Sequence, residues 1–293
     1  MKPRIGITVG DPSGIGPEVA AKAVATGFFD HRAELRLIGL PPQPVRMGHL
    51  SRECGRLAIE AVRNAVEQCL EGRLDAMVTG PINKYAVEMA GIKFTGHTDY
   101  IASLCGSPDV RMMLASNRLR VVHVTTHVSL AEACRLATAD RVFASIELAA
   151  HGLKLLGEPD GEIAVAGLNP HAGEHGLFGM EEQEHISAAV ERALAAGYKV
   201  TGPASPDTVF HRAVQGEFAV VVAMYHDQGH IPSKLVAFEE TVNVTLGLPI
   251  VRTSVDHGTA FDIAGKGQAN PTNMICAIEM ALRLVEGRRS SRA

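Results

Sequence analysis

Short apolar runs rich in β-branched residues alternate along the chain with longer Ala-rich stretches whose apolar residues recur every three or four positions. The short runs predict strands at Arg4–Val9, Leu35–Ile38, Ala76–Thr79, Val121–Thr125, Ile163–Ala166, Ala219–Met224, Val242–Leu246 and Ile250–Thr253. The longer stretches predict helices, among them Gly55–Cys69, Ala139–Leu156, Glu182–Ala196 and Asn273–Val285. Because strands that alternate with helices pair mainly in parallel, we expect an α/β fold with helices on both faces of its sheets.

Length and composition narrow the classes of protein. A single core commonly splits near 293 residues, so two domains are expected. Aromatic residues make up 4% and the formal charge is −4, which argues against nucleic-acid binding by base stacking or by a basic face. The longest apolar run, Phe218–Tyr225, is too short to span a membrane. The five cysteines show no CxxC spacing and the start RIGITVGD does not resemble a signal peptide, so we expect a reduced, cytoplasmic chain.

The first predicted strand runs into a glycine-rich loop, Gly10–Glu18, with the sequence GDPSGIGPE. Pro17 suits the first turn of a helix, and a helix N-terminus at this point could hold an anion. The spacing is GxxxGxG, which is not the GxGxxG of dinucleotide-binding loops. A tight turn and a ligand-facing loop are therefore both compatible with this segment.

Three predicted strands end close to a histidine, namely His127, His171 and His226. The ends of parallel strands meet on one side of a sheet, and imidazole is a common ligand of transition metals. Three protein nitrogens with an open fourth position are typical of a catalytic metal site. The alternative is three separate structural histidines that form ordinary hydrogen bonds.

Other polar groups also follow predicted strands. Their side chains suit a phosphate or a carboxylate, and they are His97, Thr98, Lys234, Asn243 and Arg252. A further polar and glycine-rich segment, Asp256–Pro271, precedes the last predicted helix. By composition alone, this segment is a loop.

The segment HGTAFDIAGKGQANP within that loop resembles the adenine-binding loop of the isocitrate and isopropylmalate dehydrogenases. The rest of the chain more closely resembles the 4-hydroxythreonine-4-phosphate dehydrogenase family. The motifs that carry this resemblance are GDPSGIGPE, TGPINK, GHTDY, TTHVSL, GLNPHAGE, GPASPDT, MYHDQG, VNVTLGLP and RTSVDHGTA. They extend from the first strand to about residue 270, so the resemblance covers nearly the whole chain.

The resemblance implies roles for individual residues. The implied metal ligands are His127, His171 and His226, and the implied substrate contacts are His97, Thr98, Lys234, Asn243 and Arg252. The implied cofactor contacts are Asp256, His257, Gly258, Thr259, Ala260, Asp262 and Asn270. Asp227 and Lys234 are the candidates for catalysis, and a buried structural carboxylate is the alternative role for Asp227.

The resemblance also implies an architecture and a reaction. We expect two α/β/α domains like those of isocitrate dehydrogenase, with residues 1–100 and 245–293 on the cofactor side and 101–244 on the metal and dimer side. The active site is expected in the cleft between the domains, with a metal site shared across a homodimer. The expected reaction is NAD- or NADP-dependent oxidation of a small phosphorylated hydroxy acid with loss of carbon dioxide, as in pyridoxine biosynthesis. Zinc is the expected metal, with cobalt, manganese, magnesium or nickel as alternatives.

Two features depart from the usual family pattern. The segment Leu40–Leu50 is short, which could trim the rim of the cleft or only a surface hairpin. The sequence Gly229-His230-Ile231-Pro232 stands where biosynthetic members read Gly-Leu-Pro, and it resembles the branch that acts on 4-phospho-D-threonate or 4-phospho-D-erythronate. The same His-Ile form also occurs in the related terephthalate dihydrodiol dehydrogenases.

Two other functions remain open at this point. The chain could be a cis-dihydrodiol dehydrogenase of the terephthalate type, although those enzymes tend to lose the GHT motif together with the Asn and Arg kept here. It could also be a metal- and NAD-binding sensor that has no turnover.

Overall fold

The computed structural model describes residues 2–291. The chain divides into two compact units, one of residues up to Val110 together with Val242–Arg289, and one of Arg111–Thr241. In chain order, the strands of the described residues are β1 (Arg4–Thr8), β2 (Glu34–Ile38), β3 (Ala76–Thr79), β4 (Arg111–Ala115), β5 (Arg120–His123), β6 (Ile163–Ala166), β7 (Val200–Ala204), β8 (Val220–Ala223), β9 (Val242–Leu246) and β10 (Val251–Ser254).

The helices fill most of the intervals between the strands. In chain order they are α1 (Gly16–Ala25), α2 (Arg52–Leu70), α3 (Lys84–Met89), α4 (His97–Cys105), α5 (Leu130–Leu136), α6 (Ala139–Leu155), α7 (Ser187–Ala195), α8 (Val209–Val214), α9 (His226–Ala237) and α10 (Thr272–Ser290). A π-helical turn, Glu182–Ile186, runs directly into α7. No helix among residues 2–291 is both long enough and apolar enough to cross a membrane.

The first unit arranges its strands in the order β2-β1-β3-β10-β9. All neighbouring pairs are parallel except β10 with β9. Helix α2 packs its apolar face, which includes Val62 and Val66, against Met77 of β3 and Ile101 of α4. Its N-terminus is capped by Ser51, whose hydroxyl accepts from the Cys54 backbone N–H.

The second unit arranges its strands in the order β4-β5-β8-β6-β7. Here only β4 with β5 is antiparallel. A core of strand residues such as Val121, Ala164 and Val221 packs against Val209 and Phe210 of α8. The carboxyl ends of β5, β6 and β8 therefore lie on one edge of this sheet, and the segments that carry the three histidines begin there.

All eight predicted strands are present, three with the predicted limits and five with one or both ends shifted by one or two residues, and β4 and β7 are additional. The predicted helix Glu182–Ala196 is present, but its first turn is π-helical. The β4 sequence RMMLA has no β-branched residue, and β7 contains Gly202-Pro203, a pair typical of turns. These two strands form because β5 pairs with β4 and β6 pairs with β7. Such pairing cannot be predicted from the local sequence.

Candidate active site

Arg252, in β10 of the first unit, is a buried cation that has no acidic partner among residues 2–291. Its side chain is among the least exposed polar groups, at 2%. One terminal nitrogen donates to the Thr245 hydroxyl at 2.9 Å and the other to the Thr79 hydroxyl at 2.7 Å. Its Nε atom has no hydrogen-bond partner within residues 2–291. Burial lowers the pKa of the guanidinium to about 9, so an anion at this point would relieve a large desolvation cost.

Other predicted substrate contacts belong to the same unit. His97 is the first residue of α4, and its pKa is held well below 6.5 by burial and then by the positive charges of Arg252 and Lys84. The Nε2 atom of His97 and the Oδ1 atom of Asn243 are buried, and neither has a hydrogen-bond partner in the described part of the chain. Thr98 is the second residue of α4, where backbone N–H groups are available to an anion. A neutral imidazole, an amide, a guanidinium and a helix N-terminus together suit a phosphate.

The predicted cofactor loop packs against the glycine-rich loop that follows β1. The Ile15 backbone N–H donates to the Thr259 carbonyl oxygen at 3.0 Å. A Cβ atom at Gly14 would lie 2.9 Å from the same oxygen, so only glycine permits this approach. The segment thus forms a tight turn, in which the Gly14 N–H donates to the Asp11 carbonyl oxygen at 3.1 Å, and this turn packs against the predicted cofactor loop.

Glu18 and Lys22 of α1 hold the far end of that loop. The Glu18 carboxylate accepts from the backbone N–H groups of Ala269 at 2.9 Å and Gly267 at 3.3 Å. The Lys22 ammonium donates to both of their carbonyl oxygens at 2.8 Å and to Glu18 at 2.8 Å. Neither residue was among the predicted cofactor contacts.

The predicted cofactor residues differ in the contacts that they make within the protein. The Asp256 N–H donates to the Asn273 side chain at 2.8 Å, and Nε2 of His257 is buried without a partner in the described residues. Asn270 accepts from the N–H and hydroxyl of Thr272 at the start of α10, so its side chain caps that helix. Asp262 is exposed.

The short segment Leu40–Leu50 contacts the same loop. The Gly48 N–H donates to the Ser13 carbonyl oxygen at 2.7 Å, and a Cβ atom at Gly48 would lie 2.6 Å from the Phe261 carbonyl oxygen. A Cβ atom at Gly265 would likewise lie 2.8 Å from the Met47 side chain. The segment contains no strand and packs against the predicted cofactor loop, so it is not a surface hairpin.

In the second unit, two of the three predicted metal ligands are close together. The rings of His127 and His226 have centroids 5.8 Å apart. The Nδ1 atom of His226 donates to the Asp227 carboxylate at 2.7 Å, which leaves Nε2 as the nitrogen that can bind a metal. Within one chain, residues 2–291 contain no group of three or more His, Cys, Asp or Glu residues that could hold a metal ion. His127 and His226 fit a divalent metal by donor type and spacing, and the structure does not group His171 with them.

His171 lies on a left-handed turn. Five successive residues, 171–175, have φ between 45° and 80°, and four of them are not glycine. Such a conformation costs each of the four residues other than glycine roughly 1 kcal/mol or more. The His171 side chain is exposed, and its Nδ1 lies 3.3 Å from the Glu174 carboxylate.

A buried carboxylate stabilises the entry to this turn. Glu182, in the π-helical turn and only 2% exposed, accepts from the N–H groups of Leu168 and Asn169, both at 2.7 Å. Its second oxygen accepts from the Asn169 side chain at 3.0 Å. Sequence reasoning identified Glu182 only as the start of a helix. In the structure, the π-helical turn marks this residue, since such turns are often found at functional sites. The helical pattern of the sequence does not distinguish a π-helical turn from an α-helical one.

Two further histidines adjoin His226. His230 lies one turn along α9, and His123 ends β5 with 1% exposure. Burial, with the neighbouring His230, lowers the pKa of His123 to about 3, so this imidazole is neutral. The predicted catalytic Lys234 is also in α9, with its ammonium 5.4 Å from the Phe238 ring centroid.

Residues 15–281 match the model of the family described as pyridoxal phosphate biosynthetic protein PdxA. The D-threonate 4-phosphate dehydrogenase of Pectobacterium atrosepticum is 40% identical over 325 residues, covering 97% of this chain and 100% of that protein. The crystal structure of 4-hydroxythreonine-4-phosphate dehydrogenase from Klebsiella pneumoniae has a TM-score of 0.87 at 40% identity, covering 97% of this chain and 98% of that one.

More distant structures are also similar. A terephthalate 1,2-cis-dihydrodiol dehydrogenase from Burkholderia xenovorans has a TM-score of 0.71 at 28% identity, covering 97% of this chain and 98% of that one. Isocitrate dehydrogenase from Methylococcus capsulatus has a TM-score of 0.51 at 17% identity, over 99% of this chain and 89% of that one, which shows a likeness of fold alone. The predicted mainly parallel α/β fold of the isocitrate dehydrogenase type is therefore confirmed.

Proposed function

The chain belongs to the PdxA family and is an oxidoreductase of the dehydrogenase class, and from this premise we propose that it oxidises a small 4-phosphorylated hydroxy acid with NAD and a divalent metal. D-Threonate 4-phosphate is the substrate that we propose first. This is the substrate in the name of the Pectobacterium relative. The related 4-hydroxythreonine 4-phosphate, in the name of the Klebsiella structure, is the second candidate.

The observation that carries this proposal is the buried guanidinium of Arg252. In the described part of the chain this cation donates to two threonine hydroxyls and meets no carboxylate, so the negative charge that would offset its desolvation is missing there. A substrate phosphate supplies that charge, and two of its oxygens can accept hydrogen bonds from the planar fork of guanidinium N–H groups. Asn243, His97 and Thr98 are proposed to bind the remaining oxygens. Lys84, which lowers the pKa of His97, adds a second cation near this point.

Charge also favours D-threonate 4-phosphate over the amino acid. None of the five proposed substrate contacts is acidic, and two of them, Arg252 and Lys234, are cationic. The amino acid carries an ammonium group at C2, where the threonate carries an uncharged hydroxyl. None of these five contacts offers a carboxylate to pair with that ammonium group, so binding of the amino acid is less favourable.

The metal is proposed to bind His127, His171 and His226, with ligands drawn from both subunits of a homodimer. Support for a second subunit comes from α9, where Ile231, Leu235 and Phe238 form an apolar stripe that is 57%, 82% and 71% exposed. Such a stripe is more typical of a subunit interface than of a monomer surface. A bound divalent metal would supply Lewis-acid stabilisation of the charge that develops on the substrate hydroxyl oxygen.

The proposed reaction removes a hydride from C3 and a proton from the C3 hydroxyl. NAD accepts the hydride, and the 3-keto acid then loses its C1 carboxylate as carbon dioxide because the ketone is β to it. The resulting enolate takes up a proton at C2. Lys234 and Asp227 are proposed to take part in proton transfer, and Asp227 also fixes the tautomer of His226. The loop Asp256–Asn270, supported by Glu18 and Lys22, is proposed to bind the NAD adenine.

The decisive experiment is a screen for NADH formation by protein that is stripped of metal and then reloaded. D-Threonate 4-phosphate, its erythronate isomer, 4-hydroxythreonine 4-phosphate and a cis-dihydrodiol are compared. We expect turnover of the phosphorylated acids that requires metal. Turnover of the dihydrodiol alone would establish the terephthalate-type alternative, and metal and NAD binding without any turnover would favour a sensor.

A further inference from the structure

His230 lies flat against the ring of His226. The two ring centroids are 3.5 Å apart and the ring planes differ by 10°. The residues are four positions apart on α9, so their side chains lie above one another on one face of the helix. His230 also contacts the helix backbone, since its Nδ1 atom lies 3.0 Å from the His226 carbonyl oxygen.

His123 fixes the other side of His230. The Nδ1 atom of His123 faces the Met112 carbonyl oxygen at 3.4 Å, and its Nε2 atom lies 3.2 Å from Nδ1 of His230. A carbonyl oxygen can only accept, so Nδ1 of His123 donates and its Nε2 accepts. The same reasoning makes Nδ1 of His230 a donor, shared between His123 and the His226 carbonyl oxygen. One set of neutral tautomers satisfies all three contacts.

Gly229 makes room for this arrangement. A Cβ atom at this position would lie 2.3 Å from Nε2 of His123 and 2.7 Å from the Val121 side chain. Any larger residue would push α9 away from β5. The position of His230 is therefore set by the packing of a helix against a strand and does not depend on a mobile side chain.

We propose that His230 is a positioning residue that holds the His226 imidazole in its metal-binding orientation. Asp227 fixes which nitrogen of His226 carries the proton, and the flat face of His230 restricts rotation of the ring, so that Nε2 keeps one direction. This inference rests on the proposed role of His226 as a metal ligand. Groups that orient a metal-binding histidine commonly contribute 10- to 100-fold to metal affinity.

The test measures Co²⁺ binding by the full-length protein after metal removal. His230→Asn keeps a donor near the Nδ1 position but has no ring, whereas His230→Phe keeps a flat ring but has no donor. We expect His230→Asn to weaken Co²⁺ binding by about 10-fold or more, and His230→Phe by less than about threefold. His211→Asn, at an exposed histidine of α8, is the matched control and should bind Co²⁺ like the wild type.

A second readout separates positioning from folding. The visible absorption spectrum of each variant saturated with Co²⁺ reports ligand geometry, and we expect the band positions of His230→Asn to shift. A purely structural role would lower the thermal stability of the metal-free protein and leave the saturated spectrum unchanged, which would overturn the inference. Wild-type affinity and spectrum in His230→Asn would overturn it as well.

A His226→Ala variant keeps the two proposals distinguishable. If it binds Co²⁺ as tightly as the wild type, His226 is not a ligand and the proposed metal site fails. If it loses binding while His230→Asn keeps it, only the positioning role of His230 is overturned.

Discussion

The Nδ1 atom of His226 donates to the Asp227 carboxylate at 2.7 Å, between residues that are adjacent in the chain. The contact leaves Nε2 unprotonated and free for a metal, and it makes the imidazole a stronger donor. We expect Asp227→Asn to weaken divalent metal binding by roughly 10-fold, measured by competition with a chromophoric chelator. Asp160→Asn, at an exposed residue paired only with Lys199, serves as the control. Unchanged affinity in Asp227→Asn would contradict an orienting role.

Arg252→Leu is expected to separate substrate binding from stability. Loss of the guanidinium should lower kcat/KM for a 4-phosphorylated acid by about 100-fold or more, because the phosphate loses a buried charged partner. The free protein should be no less stable, since a buried cation without an acidic partner is removed. Steady-state kinetics and thermal unfolding with and without inorganic phosphate check both halves. A large fall in stability would show that Arg252 is structural.

Glu182→Ala should loosen the turn that carries His171. The variant leaves the partly buried N–H groups of Leu168 and Asn169 without their carboxylate acceptor, at a cost of roughly 1–3 kcal/mol in the free energy of unfolding. Urea denaturation measures this loss, and metal affinity should fall with it if His171 is a ligand. Glu181→Ala removes the contact at 2.7 Å with the Asn169 side chain but keeps the Glu182 acceptor of the two N–H groups, and it should cost less than about 1 kcal/mol. Equal losses in the two variants would count against the role given to Glu182.

The lowered pKa of His97 predicts that the folded protein loses stability as the pH falls. Its pKa in the folded protein lies well below 6.5, first through burial and then through Arg252 and Lys84. As the pH falls below 6.5, the unfolded chain binds a proton that the folded chain does not, so the stability that His97 contributes at neutral pH is progressively lost.

Between pH 7 and pH 5, the free energy of unfolding of His97→Gln should therefore fall less steeply than that of the wild type. The two slopes should differ by at most about 1.4 kcal/mol per pH unit. Urea denaturation over this range measures the slope. His211→Gln, at an exposed histidine, should keep the wild-type slope. Parallel curves for His97→Gln and the wild type would refute the depressed pKa.

Glu18→Ala should weaken NAD binding, although Glu18 is proposed to support the cofactor loop and not to contact NAD. The backbone of Gly267 and Ala269 would lose its carboxylate acceptor, and Lys22 would lose its partner. Because a looser loop must be ordered on binding, we expect the Kd for NAD to rise roughly 10-fold in calorimetric titrations. Glu88→Ala, at an exposed position of α3, should leave the Kd unchanged. An unaltered Kd in Glu18→Ala would show that the loop does not need this support.

The sequence predicted the fold well where local pattern and burial agree. Strands such as β3, β6 and β9 are continuous apolar runs, and their limits were predicted to the residue. Strand β7 was missed because Gly202-Pro203 has the local preferences of a turn, and parallel pairing with β6 overrides them.

The sequence predicted the types of residue in the candidate site but not the residues that hydrogen-bond to them or pack against them. Arg252 was identified from its motif, yet its hydroxyl partners Thr79 and Thr245 follow only from the strand order β3-β10-β9. The packing of His123 against Gly229 likewise brings together residues about a hundred positions apart. Contacts of this kind depend on sheet topology, which periodicity alone does not contain.

The turn at residues 171–175 has a consequence for chirality. Its backbone has the handedness that suits mirror-image amino acids, so each L-residue there is the less favourable enantiomer for its own conformation. A D-alanine at position 172, introduced by chemical ligation, would fit the turn better than the natural Ala172, and glycine is the nearest genetically encoded equivalent. Over evolutionary time, substitutions at this position should therefore be channelled toward glycine and asparagine by handedness rather than by side-chain chemistry.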